Sequence, residues 1–162
     1  MKAPHRLDSL LIVQQRRVDK ALAELTACNE RQRRAELDRA ARQERWEATE
    51  AQRLAEINRQ AEAIADSSSH VIPAAELAAA GRRLQWWRTR AEEQKQELET
   101  AQAALLQATT AAMQARLRYR RAQARHEGFA KLIEQRQMAL ARESLRLEES
   151  DTEGRRIRGV GT

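Results

Sequence analysis

The side chains able to do acid–base, nucleophilic or metal chemistry are few in this chain of 162 residues: His5, His70 and His126, and one cysteine, Cys28. A catalytic proton relay needs two or three such groups within hydrogen-bond reach of one another. The three histidines fall near the start of the chain, in a polar break and on a helix seam, so no constellation forms. Cys28 has no second cysteine for a disulfide and lacks the paired spacing of a zinc site, which fits a reducing compartment. A glycine-rich phosphate loop and a nucleophile motif are both missing from the sequence. These residues therefore predict no enzyme, with no catalytic, cofactor-binding or metal site, and a protein that acts by binding other proteins.

Binding chemistry is better represented. A helix built on Ala and Leu has little use for large aromatic rings, yet Trp46, Trp86 and Trp87 are present. Trp87 falls on a helix seam; Trp86, about 100° around the helix from it, cannot share that burial. Trp46 and Trp86 are thus candidate contact residues, since exposed Trp is enriched at binding hot spots, or else rings lying flat over Ala-rich grooves. A basic cluster, Arg116, Arg118, Arg120, Arg121 and Arg125, suits an acidic protein surface, a nucleic acid, a lipid head group or simply a solvated face. The only interleaved aromatic, Tyr119, is a seam residue, which argues against nucleic acid. Charge is uneven along the chain: residues 118–142 carry seven basic and two acidic groups within an overall net charge of +6.

These residues must be positioned by helices. Composition is 41% hydrophobic and 33% charged, with 3% aromatic, five Gly and two Pro, and strong helix formers dominate. One residue in seven from Leu77 reads Leu77, Leu84, Ala91, Leu98, Leu105, Ala112, Tyr119, His126, Ile133, Leu140, Leu147. Three positions on stand Ala80, Trp87, Gln94, Ala101, Ala108, Ala115, Ala122 and Phe129, which completes a heptad seam that needs a partner helix. The first half supplies it with Leu7, Leu11, Val18, Leu22, Leu25 and Cys28, then Leu54, Ile57, Ala61 and Ile64. The two sets do not share a register, which predicts a stutter between Leu37 and Ala55. Glu30 with Arg34 and Asp38 with Arg42 stand four apart as exposed ion pairs.

Asp66 to Pro73 is the stretch that joins polar turn formers to a proline, and it reads as a hairpin turn. The expected fold is all-α: a long two-helix antiparallel coiled-coil hairpin over residues 1–154. Its first helix spans about 5–66, its turn 67–72 and its second helix about 73–150, followed by a disordered tail at 155–162. A short turn places residue i of the first helix roughly opposite residue 139 minus i of the second. The second helix outruns the first, so Leu140, Leu145 and Leu147 either fray or dock elsewhere. Gly81 and Gly128, inside that helix, permit bending. No apolar run reaches the roughly 18 residues of a membrane span, nor the 7–15 of a signal core, so a cytoplasmic protein is expected.

The opening Leu7-Asp8-Ser9-Leu10-Leu11-Ile12-Val13-Gln14-Gln15-Arg16-Arg17-Val18-Asp19-Lys20-Ala21 is similar to the start of the YscO/FliJ (SctO) family of type III secretion proteins. Length, turn position and the longer second helix resemble that family too, over nearly the whole chain. The resemblance implies a stalk similar to the rotary ATPase gamma coiled coil, cytoplasmic and peripheral to the inner-membrane secretion apparatus. It implies a monomer when isolated, binding the hexameric export ATPase through Leu7, Leu11, Arg16 and Arg17 with Arg118, Arg120, Arg121 and Arg125. The cytoplasmic domain of the export gate would meet Trp46 and Trp86, and secretion chaperones are a further implied partner; no cofactor, nucleic acid or membrane insertion is implied. Two readings compete: a scaffold that self-associates through the overhang of the second helix, and a basic nucleic-acid binder.

Overall fold

A computed structural model describes the backbone of residues 4–66 and 71–159 and the side chains of residues 9–66 and 71–151. Two helices account for nearly all of it: α1, Pro4–Asp66, and α2, Ala74–Gly159. They pack against each other, and no strand occurs among the described residues, so the all-α hairpin is the fold. Proline opens α1, where its missing N–H is no loss. Pro73 sits just outside α2 and not within its first turn, and its carbonyl accepts the N–H groups of Glu76 at 2.9 Å and Leu77 at 3.2 Å. Glu76 also places negative charge beside the unpaired amides of that first turn.

The helices divide into two compact units, each antiparallel and each made from both helices. Unit 1 joins Met1–Leu25 to Ala115–Thr162, and unit 2 is Thr26–Gln114. In unit 2 the ion pairs Arg42–Glu97 at 3.5 Å and Glu56–Arg83 at 3.0 Å both fall on the expected sum of 139. In unit 1 Arg118 reaches Glu24 at 4.0 Å, three residues off that sum.

On α2 the seam lies where the heptads put it. Ala91, Leu98, Ala101 and Ala112 are buried in unit 2 and Ala115 in unit 1, while Leu84, Trp87, Tyr119, His126 and Ile133 are half-buried. Most of the buried side chains are Ala, so the seam is thin. On α1 the expectation is corrected. Covered positions recur every seven residues without interruption: Leu11, Val18, Leu25, Gln32, Arg39, Trp46, Arg53 and Gln60, and with them Gln14, Ala21, Cys28, Ala35, Arg42, Thr49 and Glu56. No stutter intervenes. Leu54, Ile57 and Ile64, expected on the seam, are 52%, 37% and 59% exposed, and Leu22 is 45% exposed. In unit 2 the physical reason is that polar side chains take the seam positions of α1, with long aliphatic stems along the seam and with Arg42, Glu56 and Gln60 bonded across to α2.

The far end of α2 is a second correction. Helix continues through Gly154 to Gly159, into residues 155–159 of the expected disordered tail, and residues 160–162 lie outside the described set. Gly154 keeps helical backbone there and does not cap the helix. Gly81 and Gly128 likewise keep helical backbone. Of the expected turn, residues 67–70 lie outside the described set, and Val71 and Ile72 are non-helical.

Candidate functional site

The arginines proposed from the sequence lie in unit 1, all of them exposed: Arg16 and Arg17 on α1, Arg118, Arg120, Arg121 and Arg125 on α2. The heptad frame sorts them. Arg17 and Glu24 share one flank of α1, and Arg118 and Arg125 share the α2 flank beside it, as the contact between Glu24 and Arg118 requires. Arg121 is next outward on α2, while Arg116 and Arg120 lie on the opposite flank and Arg16 on the outer face. The structure thus gathers Arg17, Arg118, Arg121 and Arg125 on one face and leaves Arg16 and Arg120 off it. Among the described residues, Glu24 is the acidic group that any of these four reaches. At 4.0 Å, with the two side chains 68% and 45% exposed, that pair contributes little and leaves the face cationic.

Leu11 is a half-buried seam residue, so its side chain faces α2 and not a partner. Leu7 lies in α1, and its side chain is outside the described residues. The large apolar groups of unit 1 that are more than half exposed are instead Ile12, Leu117, Leu132, Met138, Leu140, Leu145 and Leu147, five of them from Leu132 onward on α2.

The tryptophans lie in unit 2. Trp86 is 58% exposed and meets Trp87 edge to face, with ring centroids 4.5 Å apart and planes at 79°. Such a pair stabilises itself beyond its buried area and holds the Trp86 ring out from the helix. Arg82, Arg83 and Arg90 stand three or four residues from Trp86 on the same side of α2. Trp46 does not join them: it is half-buried on the α1 seam, at a level that the pairing rule puts near Gln94, so it fills a layer. Gln94 Oε1 is buried there without a hydrogen-bond partner.

One feature of unit 2 escaped sequence reasoning. Glu56 is 4% exposed, and its carboxylate accepts Arg83 Nε at 3.0 Å, Gln60 Nε2 at 3.3 Å and Arg59 Nη1 at 3.2 Å. Gln60 Nε2 also donates to the Ala80 carbonyl at 3.0 Å. The hydrogen bond from Arg83, then that from Gln60, holds the Glu56 carboxyl below its ordinary value of 4.5 against the opposing effect of burial. The sum rule linking residues 56 and 83 was the available signal. A groove of about 310 Å³ opens beside this clamp, bordered by Ile64, Ile72, Leu77, Ala80 and Gly81.

Among the described residues no group of three or more His, Cys, Asp and Glu is placed to hold a metal ion, and no helix is long and apolar enough to cross a membrane. The arrangement can present charge and apolar surface to another macromolecule. No protein family, curated protein or solved structure matches the chain.

Proposed function

We propose that this chain is a non-enzymatic stalk of a bacterial type III secretion system, cytoplasmic and peripheral to the inner membrane, that binds the hexameric export ATPase and the export gate. The observation that carries the reading is the cationic face of Arg17, Arg118, Arg121 and Arg125, displayed on a pair of antiparallel helices and balanced by Glu24 alone among the described residues. Such a face attracts an acidic channel wall and speeds encounter with it. Trp86, braced by Trp87 and flanked by arginines, is the second contact, for the gate; Trp46 contributes by packing. The resemblance of the opening segment to the YscO/FliJ family gives these contacts their partners, and chaperones are a further class of ligand.

The test mixes the full chain with the export ATPase of its own secretion system and follows ATP hydrolysis and hexamer formation. The expected result is stimulation of both, lost when Arg121→Glu and Arg125→Glu reverse the face and kept when Arg120→Glu reverses the opposite flank. Absence of binding, or equal loss from both reversals, overturns the reading. The exposed leucines of unit 1 favour a second reading, self-association through the end of α2. Analytical ultracentrifugation separates the two, since the stalk sediments as a monomer and the scaffold as a dimer or larger.

A further inference from the structure

Between Glu50 and Asp66, α1 carries two sets of residues at coiled-coil spacing, offset by a single position. Arg53, Glu56, Gln60 and Ala63 continue the frame of Trp46 and Thr49, and the first three are turned toward α2. Leu54, Ile57, Ala61 and Ile64 have the same alternation of three and four and are exposed. The α2 residues at this level are Leu77, Ala80, Leu84 and Trp87, an apolar stripe that the second set would match better than the first. Leu77 is 50% exposed and borders the same groove as Ile64, so apolar groups of both helices already line one opening.

Two contacts hold the polar set in place. The Glu56 carboxylate is clamped by Arg83, and the Gln60 amide donates to the Ala80 carbonyl. A turn of this stretch by one residue, about 100°, withdraws both. The join to the rest of α1 is available in the sequence, because Arg42, Trp46, Glu50 and Leu54 stand four apart in succession, the spacing of two consecutive stutters, which a coiled coil accommodates by local unwinding. Burial of Leu54, Ile57 and Ile64 then opposes loss of the clamp, two terms of similar kind and opposite sign.

We propose that residues 50–66 of α1 form a two-register element. In one register Glu56 and Arg83 fasten the polar set to α2; in the other the stretch turns by one residue and packs Leu54, Ile57, Ala61 and Ile64 against Leu77, Ala80, Leu84 and Trp87. Glu56 is the catch. An acidic surface that draws Arg83 away from it releases the stretch, and release conceals the apolar groups now exposed. The inference stands independently of the secretion reading.

Disulfide trapping in the full chain, with Cys28→Ala as background, tests it. Gln60→Cys with Ala80→Cys reports the first register, Ala61→Cys with Ala80→Cys the second, and Asn58→Cys with Ala80→Cys serves as the control on the outer face. The 61/80 pair is expected to close faster than the control and more slowly than the 60/80 pair. Adding Glu56→Gln should accelerate 61/80 closure by about tenfold, a shift of about 1.4 kcal/mol between registers. In a chain whose only cysteine is Ala61→Cys, the same substitution should slow alkylation by iodoacetamide. Arg83→Gln repeats both measurements should Glu56→Gln lower helicity. Closure of 61/80 at the control rate overturns the proposal, and so does a 61/80 rate unmoved by loss of the catch.

Discussion

Replacing Leu98 by Ala tests the seam at its best-buried leucine. Leu98 is 8% exposed, on the α2 seam one turn from Ala101 and at the level of Arg42 on α1. The change removes three carbons at about 0.8 kcal/mol each, or about 2.2 kcal/mol after allowing for the exposed fraction. Incomplete collapse of the vacated space adds to this, for a total of about 2–4 kcal/mol. The lower half of that range is expected, because the flexible arginine stems on the facing stretch of α1 settle into part of the vacated space. Leu106, on the same helix, is 70% exposed. Its replacement by Ala removes the same atoms mostly from water, and the better helix propensity of Ala offsets part of the remainder, leaving a change within about 0.5 kcal/mol. Urea unfolding followed by circular dichroism at 222 nm measures both, with a common slope and separate midpoints. Equal losses, or a greater loss at Leu106, would refute the seam assignment, because the two side chains differ only in which side of α2 they occupy.

Further outcomes follow from other positions. At Gly128, and separately at Gly81, an added Cβ meets nothing within 4 Å, so each change to Ala should stabilise the chain by about 0.5–1 kcal/mol in the same assay. Gln94→Leu removes a buried carbonyl oxygen that has no partner and should raise stability by about 1 kcal/mol, visible as a higher melting temperature. For Glu56 the folded carboxyl titrates below its ordinary 4.5, so the stability it contributes is present above 4.5 and is lost as pH falls through the lowered value. Melting temperature measured from neutral pH downward should therefore drop less steeply below 4.5 in Glu56→Gln than in the unaltered chain.

The α2 half of the fold was legible because apolar residues take all but Gln94 and His126 of its heptad positions from Leu84 to Ile133, and the end of α1 at Asp66 because polar turn formers follow it. Pairing followed from the position of the turn, as Arg42 with Glu97 and Glu56 with Arg83 show. The middle of α1 was not legible. Gln32, Arg39, Arg42, Arg53, Glu56 and Gln60 read as solvent-facing types, while Leu54, Ile57, Ala61 and Ile64 have seam spacing and are exposed in this register. Arg42, Glu56 and Gln60 find partners across the gap, Gln32 and Arg53 find them on α1 itself, and periodicity in one stretch of sequence does not register the other helix's charge. The same limit applies to Trp46, a ring whose type suggests a contact surface and whose place in the heptad makes it filler. Of the arginine site, exposure was foreseeable, and the division between two flanks follows only from the frame.

No large side chain is completely enclosed among the described residues. In unit 2, cohesion is therefore shared out layer by layer, as in a zipper, with no central knot whose loss undoes the rest. Excision of seven residues from α1 and seven from the facing stretch of α2 keeps every remaining tooth meshed. Excision from one side alone puts Arg42 and Glu97 out of step. Length in such a unit is an adjustable quantity, able to change by whole heptads while its remaining layers keep their register.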